Sequence, residues 1–246
     1  MSTFFLTREP VFPHPSLADP DGLLAIGGDL SLTRLVTAYS KGIFPWYGPG
    51  SPILWWSPEP RLVLYSHQFH VPRSLRRVIN SQRFVITADK AFEAVIESCS
   101  RVPRGGSNGT WLTPEMIDAY TRLHRAGLAH SFETWKGSRL VGGIYGVALG
   151  KAFFGESMFY LIPNASKVAL FHLMIYLKSN DYHFMDCQQT TKHMLRFGAR
   201  ELSRRKFLED LDEAISQKGI SGIWEYPASS ESFQEDQASS PVRIGE

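Results

Sequence analysis

From residue 61 onward, apolar and polar positions recur with periods that predict separate strands and helices. RLVLY and FVITA read as short strands. Between them PRSLRRVINS reads as a helix, with Pro72 at the tolerated first position. A helix is predicted over 89–100, and Thr113 is placed to cap another over 114–126 that stops at Gly127. LVGGIYGVAL and AFFGESMFY are two strand patterns separated by Gly150 and Lys151, which suit a two-residue hairpin turn. Asn164 can cap a helix over 165–179, and HFMDCQ is a strand. A helix ending at Gly198, a short strand near 199–203 and a helix over 205–217 follow. This succession predicts an α+β fold, a mixed sheet with helices packed on it.

Residues 1–60 have another texture, rich in Pro, Gly and Trp. One short helix is expected at 31–41, capped by Ser31 and ended by Gly42. Around it run loops, so the segment reads as a small N-terminal domain ending near Pro60. The element order of 61–226 resembles the core of the acetyltransferase (GNAT) fold, an analogy that implies no function by itself. Residues 227–246 are Ser-, Gln- and Glu-rich with few apolar groups, which predicts a disordered tail.

Composition narrows the classes. At 43% hydrophobic and 20% charged the chain is an ordinary globular sequence, and a net charge of +2 does not point to a partner. Only Cys99 and Cys187 occur, which excludes a disulfide scaffold and fits a reducing compartment. No apolar run approaches the roughly 20 residues needed to span a bilayer, and the N-terminus has no secretory pattern. The expectation is a soluble cytoplasmic protein with no membrane partner. His67 with His70, and His124 with His130, lack ligand-spaced companions, so no metal is expected. Neither a Walker loop nor a Gly-x-Ser-x-Gly elbow is present.

Candidate chemistry lies on two strands. Alternation in AFFGESMFY puts Phe154, Glu156, Met158 and Tyr160 on one face, so Glu156 is a carboxylate among large apolar groups. Such a group must be paired, hydrogen-bonded or solvated by a site; the alternative to a functional role is a salt bridge to a buried arginine. In HFMDCQ, Asp186 and Gln188 share a face and Cys187 takes the other. They suggest a pocket wall, or else a helix-capping network. A thiolate role for Cys187 is disfavoured by the adjacent carboxylate.

Residues 61–88 hold arginines 61, 73, 76, 77 and 83 and no acid before Asp89. Arg73, Arg76 and Arg77 fall on one helix face and could hold a phosphate backbone, or form an ordinary solvated face. Trp46, Trp55, Trp56 and Trp111 could stack a nucleobase or fill a small core.

The segments DGLLAIGGDLS, GIFPWY, PILWWSPEPR, HVPRSLRR, TW, AYTRLH, HSFE, LVGGIYGVALG, FGESMF, SK and DCQ occur in one order. Over roughly residues 10–207 they resemble the bacterial leucyl/phenylalanyl-tRNA–protein transferases. The loop RGGSNG, the stretch between His193 and Gly198, and the tail depart from the pattern. The resemblance implies transfer of Leu, Phe or less often Met from aminoacyl-tRNA to acceptor proteins beginning with Arg or Lys, marking them for degradation. It implies a GNAT-like domain behind a small N-terminal one, with no cofactor and no metal. By motif, Asp186, Gln188 and Glu156 become the catalytic candidates. Trp46 and Trp111 fall beside the terminal adenosine, and Arg73, Arg76 and Arg77 along the tRNA backbone. Phe154 and Met158, sharing Glu156's predicted face, become walls of an apolar donor pocket. The rival, an acetyl-CoA-dependent acetyltransferase, would carry a glycine-rich loop where this chain has YLIPNASK. A non-catalytic RNA-binding module would have no use for the polar groups on the strands.

Overall fold

The computed structural model describes residues 3–102 and 112–226. Trp111, the RGGSNG loop and the tail at 227–246 lie outside the described residues. The elements run β1 (Phe4–Leu6), β2 (Leu23–Gly27), α1 (Leu32–Ser40), β3 (Phe44–Pro45), β4 (Leu54–Trp56) and β5 (Arg61–Tyr65). Next come α2 (Arg73–Asn80), β6 (Val85–Ala88), α3 (Phe92–Ser100), α4 (Pro114–Arg125), β7 (Ala129–Lys136) and β8 (Arg139–Leu149). The chain continues through β9 (Ala152–Tyr160), α5 (Ala165–Ser179), β10 (Phe184–Gln188), α6 (Lys192–Leu195), β11 (Arg200–Leu202) and α7 (Arg204–Ile215).

Strands β1–β4 form a small sheet in the order β1-β2-β4-β3, a correction to the loops expected there. A larger sheet runs β11-β5-β10-β9-β8-β7-β6. Its pairs are antiparallel except β9 with β10. Helices cover both faces. Side chains of α1, α3, α4 and α7 (Leu35, Val95, Met116, Leu211) share one core with Leu24 and Trp55 of the small sheet. Those of α2, α5 and α6 (Leu75, Leu173, Met194) form the other with Ile86 and Met185. This is a mixed α+β architecture with both strand directions in its main sheet.

Local signals behave as their chemistry requires. The Ser31 hydroxyl accepts from the Arg34 amide and the Thr113 hydroxyl from the Met116 amide, while Gly42, Gly127, Gly150 and Gly198 adopt positive φ at the turns they end. Asn164 stands before α5 at φ 72° but gives no side-chain cap. The sequence pattern does not predict β7, because its polar side chains are buried and no alternation advertises it. Its His130 and Ser131 bond Asp89, its Glu133 accepts from Ser131 and Thr87, and Thr134 donates to the Ala165 carbonyl.

Candidate active site

The two strands carrying the polar candidates lie side by side and then part. Parallel pairing of β9 with β10 covers only Ala152–Phe154 against Phe184–Asp186. Beyond it β9 stays with β8 and β10 with β5. Each strand is irregular at that point. The β8–β9 register shifts so that Glu156 is the extra residue, and the β10–β5 register shifts so that Cys187 is. The candidate carboxylates and amide therefore sit where the sheet splits.

Asp186 is fully buried. Its carboxylate accepts two hydrogen bonds from the Arg61 guanidinium, at 2.8 Å from Nε and 2.6 Å from Nη2. Phe44 and Phe207 flank that guanidinium at 4.9 and 4.5 Å from their ring centres. Asp186 Oδ1 also accepts from the Gln188 backbone N–H at 2.8 Å. It thus fixes a residue at φ 62°, a region costly for a residue with a side chain. The buried-arginine pairing weighed for Glu156 belongs instead to Asp186, and Asp186 acts on Gln188 through the backbone.

Across the gap the Gln188 amide donates to Glu156 Oε1 at 2.9 Å. The Tyr39 hydroxyl donates to the same oxygen at 2.7 Å, and the Tyr120 hydroxyl lies 3.1 Å from Oε2. The two hydroxyls also touch each other in a short contact. With one proton apiece, the two hydroxyls share the carboxylate: while one donates across the Tyr39–Tyr120 contact, the other donates to Glu156. Burial raises the Glu156 pKa to about 7 against the opposing effect of the tyrosine donors, and the charge of Asp186 adds to the rise. Both tyrosines are held well above their ordinary pKa by burial and then by Glu156.

One side of Glu156 opens on a cavity of about 320 Å³. Ile144, Met158, Met185 and Met194 form its apolar wall, and Ser157, Cys187, Thr191 and His193 also line it. The expectation that Phe154 and Met158 share a face is overturned. The bulge at Glu156 inverts the parity, so Phe154 packs under Tyr39, ring centres 5.0 Å apart, in the opposite core. Cys187 packs on the cavity side, and its thiol pKa is pushed well up by burial and then by Asp186, which removes the thiolate a nucleophile would need. A larger groove of about 680 Å³ lies between residues 47–53 and the start of α4 and shares no lining residue with this cavity.

Trp46 is 38% exposed, with its ring edge-on to Trp56 at 5.6 Å, and offers a free face. Trp55 is wholly buried. Arg73 and Arg77 are exposed on α2, whereas Arg76 is partly buried and donates to the Val71 carbonyl at 3.1 Å. Arg61, Tyr39 and Tyr120 join the site although the sequence pattern does not mark them as site residues. Arg61 and Tyr120 stand within the motifs PILWWSPEPR and AYTRLH, yet nothing local distinguishes them, and Tyr39 carried no signal. Among the described residues no three metal-ligand side chains converge, and no helix is long and apolar enough to cross a membrane.

A family model described as leucyl/phenylalanyl-tRNA protein transferase matches residues 63–212. A second, described as the N-terminal domain of the same transferase, matches 28–59. A leucyl/phenylalanyl-tRNA–protein transferase of Anaeromyxobacter sp. (strain K) is 56% identical over 92% of this chain and 97% of its own length. One of Nitratidesulfovibrio vulgaris (strain DP4) is 58% identical over 88% and 93%. Among solved structures, a conserved protein of unknown function from Staphylococcus epidermidis aligns over 74% of this chain and 68% of its own. Its TM-score is 0.41 at 10% identity, too distant to assign a fold.

Proposed function

Since the chain belongs to the leucyl/phenylalanyl-tRNA–protein transferase family, we propose that it moves Leu, Phe or less often Met from charged tRNA to the N-terminal Arg or Lys of acceptor proteins. The product is a new peptide bond that marks the acceptor for degradation in the cytoplasm. We read residues 1–60 as a small N-terminal domain and 61–226 as a GNAT-like catalytic domain.

The observation that carries the reading is the Glu156–Gln188 pair, set in the split of the sheet beside an apolar cavity. A cavity of about 320 Å³ lined by methionines suits an unbranched-at-Cβ apolar side chain. Beside it, ionised Glu156 holds the donor's α-ammonium. Gln188 then stands over the ester, its amide free to orient the incoming amine once substrate displaces its bond to Glu156.

The aminoacyl ester is already activated. The neutral acceptor amine attacks its carbonyl carbon, forming the C–N bond and an oxyanion. Collapse breaks the ester C–O bond, and the proton lost by the amine ends on the departing ribose oxygen. An amide is a poor base, so Gln188 positions the amine while the ribose hydroxyls relay the proton. Asp186 and Arg61 keep Gln188 in its strained backbone conformation. Trp46, with Trp111, stacks the terminal adenine, and Arg73 and Arg77 hold the tRNA backbone.

Incubation with an Arg-starting peptide and either phenylalanyl-tRNA or acetyl-CoA tests this. Phenylalanyl-peptide formed only with the charged tRNA is the expected result. Acetyl-peptide would establish the acetyltransferase reading, and tRNA binding without either product would leave an RNA-binding module.

A further inference from the structure

Strands β9, β10 and β11 each carry one carboxylate near Gln188, and two of the three are engaged. Glu156 accepts from the tyrosine hydroxyls and the Gln188 amide, and Asp186 is closed off by Arg61. The third is Glu201. Gln188 stands opposite Leu62 of β5, and Leu62 stands opposite Glu201 of β11. The three residues thus form one row across three strands. Neighbouring strands lie about 4.8 Å apart, which sets the Glu201 backbone about 10 Å from that of Gln188.

Opposed residues share a face of the sheet. Leu62 packs in the core on the α6 side, so Glu201 takes that side, while Arg200 and Leu202 oppose Val63 and Arg61 and take the other. The Thr190 hydroxyl donates to Glu201 Oε1 at 2.6 Å, which draws the carboxylate back toward the segment leaving Gln188. Thr190 is two residues beyond Gln188, at most about 7 Å along the chain, a span that an arginine or lysine side chain covers. Glu201 is exposed and forms no ion pair among the described residues. By contrast Glu59, just before β5, is taken by the backbone N–H and guanidinium of Arg204.

We infer that Glu201 selects the acceptor: its carboxylate holds the cationic head of the acceptor's first side chain while the α-amine stands at Gln188. The inference rests on the transferase reading above and gives its acceptor class a physical basis. The donor cavity is lined from β8, β9 and the end of β10. In the sheet order β11-β5-β10-β9, Glu201 lies on the other side of Gln188. Donor and acceptor side chains then leave the reacting centre in opposite directions and do not compete for space. A guanidinium can meet a carboxylate through two parallel hydrogen bonds and an ammonium cannot, so Arg should be preferred to Lys.

The test uses the full-length protein, phenylalanyl-tRNA and peptides that differ only in their first residue: Arg, Lys, or citrulline, which has arginine's shape without its charge. The unaltered protein should favour Arg over citrulline by about fivefold or more in kcat/KM, through KM, and added salt should erode the difference. Glu201→Gln should bring that ratio close to one by raising KM for the Arg peptide. Transfer to the citrulline peptide should change little, which also shows that the variant is folded. Glu201→Asp keeps the charge on a shorter stem and should retain part of the preference. An Arg-over-citrulline ratio preserved in Glu201→Gln, or an equal loss with both peptides, would overturn the assignment. Equal use of Arg and citrulline by the unaltered protein would instead remove the cationic acceptor proposed above, and the role of Glu201 with it. No product from any peptide would sink the transferase reading itself.

Discussion

The Gln188 amide and the Glu156 carboxylate meet at 2.9 Å across the point where two parallel strands separate. The contact joins residues from two local irregularities, each anchored from elsewhere: Gln188 by Asp186 and Arg61, Glu156 by Tyr39 and Tyr120. The small N-terminal sheet's neighbour α1 supplies Tyr39, so the site draws on both parts of the chain.

With a pKa of about 7, Glu156 titrates in the working range. If its ionised form holds the donor ammonium, transfer from phenylalanyl-adenosine should rise with pH through 7. The acceptor amine adds its own limb near 8, so log rate should climb with a slope approaching two below pH 7. Glu156→Gln should be slower by about 10²-fold or more and show only the upper limb. Single-turnover rates between pH 5.5 and 9 decide it; an unchanged lower limb in the variant would assign that limb to another group.

The same shift has a cost in stability. The folded-state pKa lies above the ordinary value of 4.5, so the folded protein binds the extra proton. Below pH 4.5 both states are protonated and nothing is lost. As pH rises to 7 the unfolded state ionises first, and stability falls by on the order of 3 kcal/mol. Glu156→Gln removes this slope. Urea unfolding at pH 5 and pH 8 should show the variant gaining on the unaltered protein at the higher pH.

Arg61 is a stability residue as much as a site residue. Arg61→Ala leaves Asp186 buried and uncompensated, which costs about 3–5 kcal/mol, and frees Gln188 from its fixed backbone. Asp186→Asn added to Arg61→Ala should recover part of that stability without recovering transfer. Denaturant midpoints for the single and double variants measure the coupling; additive losses would mean that the pair is not acting as one unit.

Much of this architecture could be read from the chain because its signals are local. The β8–β9 hairpin follows from alternation and Gly150, and α1 and α4 from Ser31 and Thr113. What escaped is non-local. One extra residue at Glu156 leaves no trace in the hydrophobic pattern, yet it moves Phe154 to the opposite core from Met158. Arg61 and Asp186 are 125 positions apart, and β7 hides because its polar side chains find buried partners. Trp46 was legible as a candidate, but only packing separates it from the buried Trp55.

The strand parity around Cys187 gives the most discriminating test of the site. Cys187 packs on the cavity side with its thiol held protonated, so Cys187→Ala should keep most transfer activity and shift donor preference slightly, because it enlarges the cavity. Gln188→Ala removes the amide that meets Glu156 and should slow transfer by about 10²–10⁴-fold, while tRNA binding should change little if it rests on the proposed phosphate contacts of Arg73 and Arg77. Gln188→Asn keeps an amide and tolerates the positive φ, but its shorter reach breaks the 2.9 Å bond, so its rate should fall between the two. Asp186→Asn keeps the side chain's shape but weakens both the Arg61 pair and the hold on the Gln188 backbone. Its loss of rate should therefore be strongly non-additive with Gln188→Ala. Single-turnover transfer and tRNA binding, measured for all four variants and the Asp186–Gln188 double, would settle the order. Abolished transfer in a folded Cys187→Ala with Gln188→Ala still active would reverse it and return the nucleophile's role to the thiol.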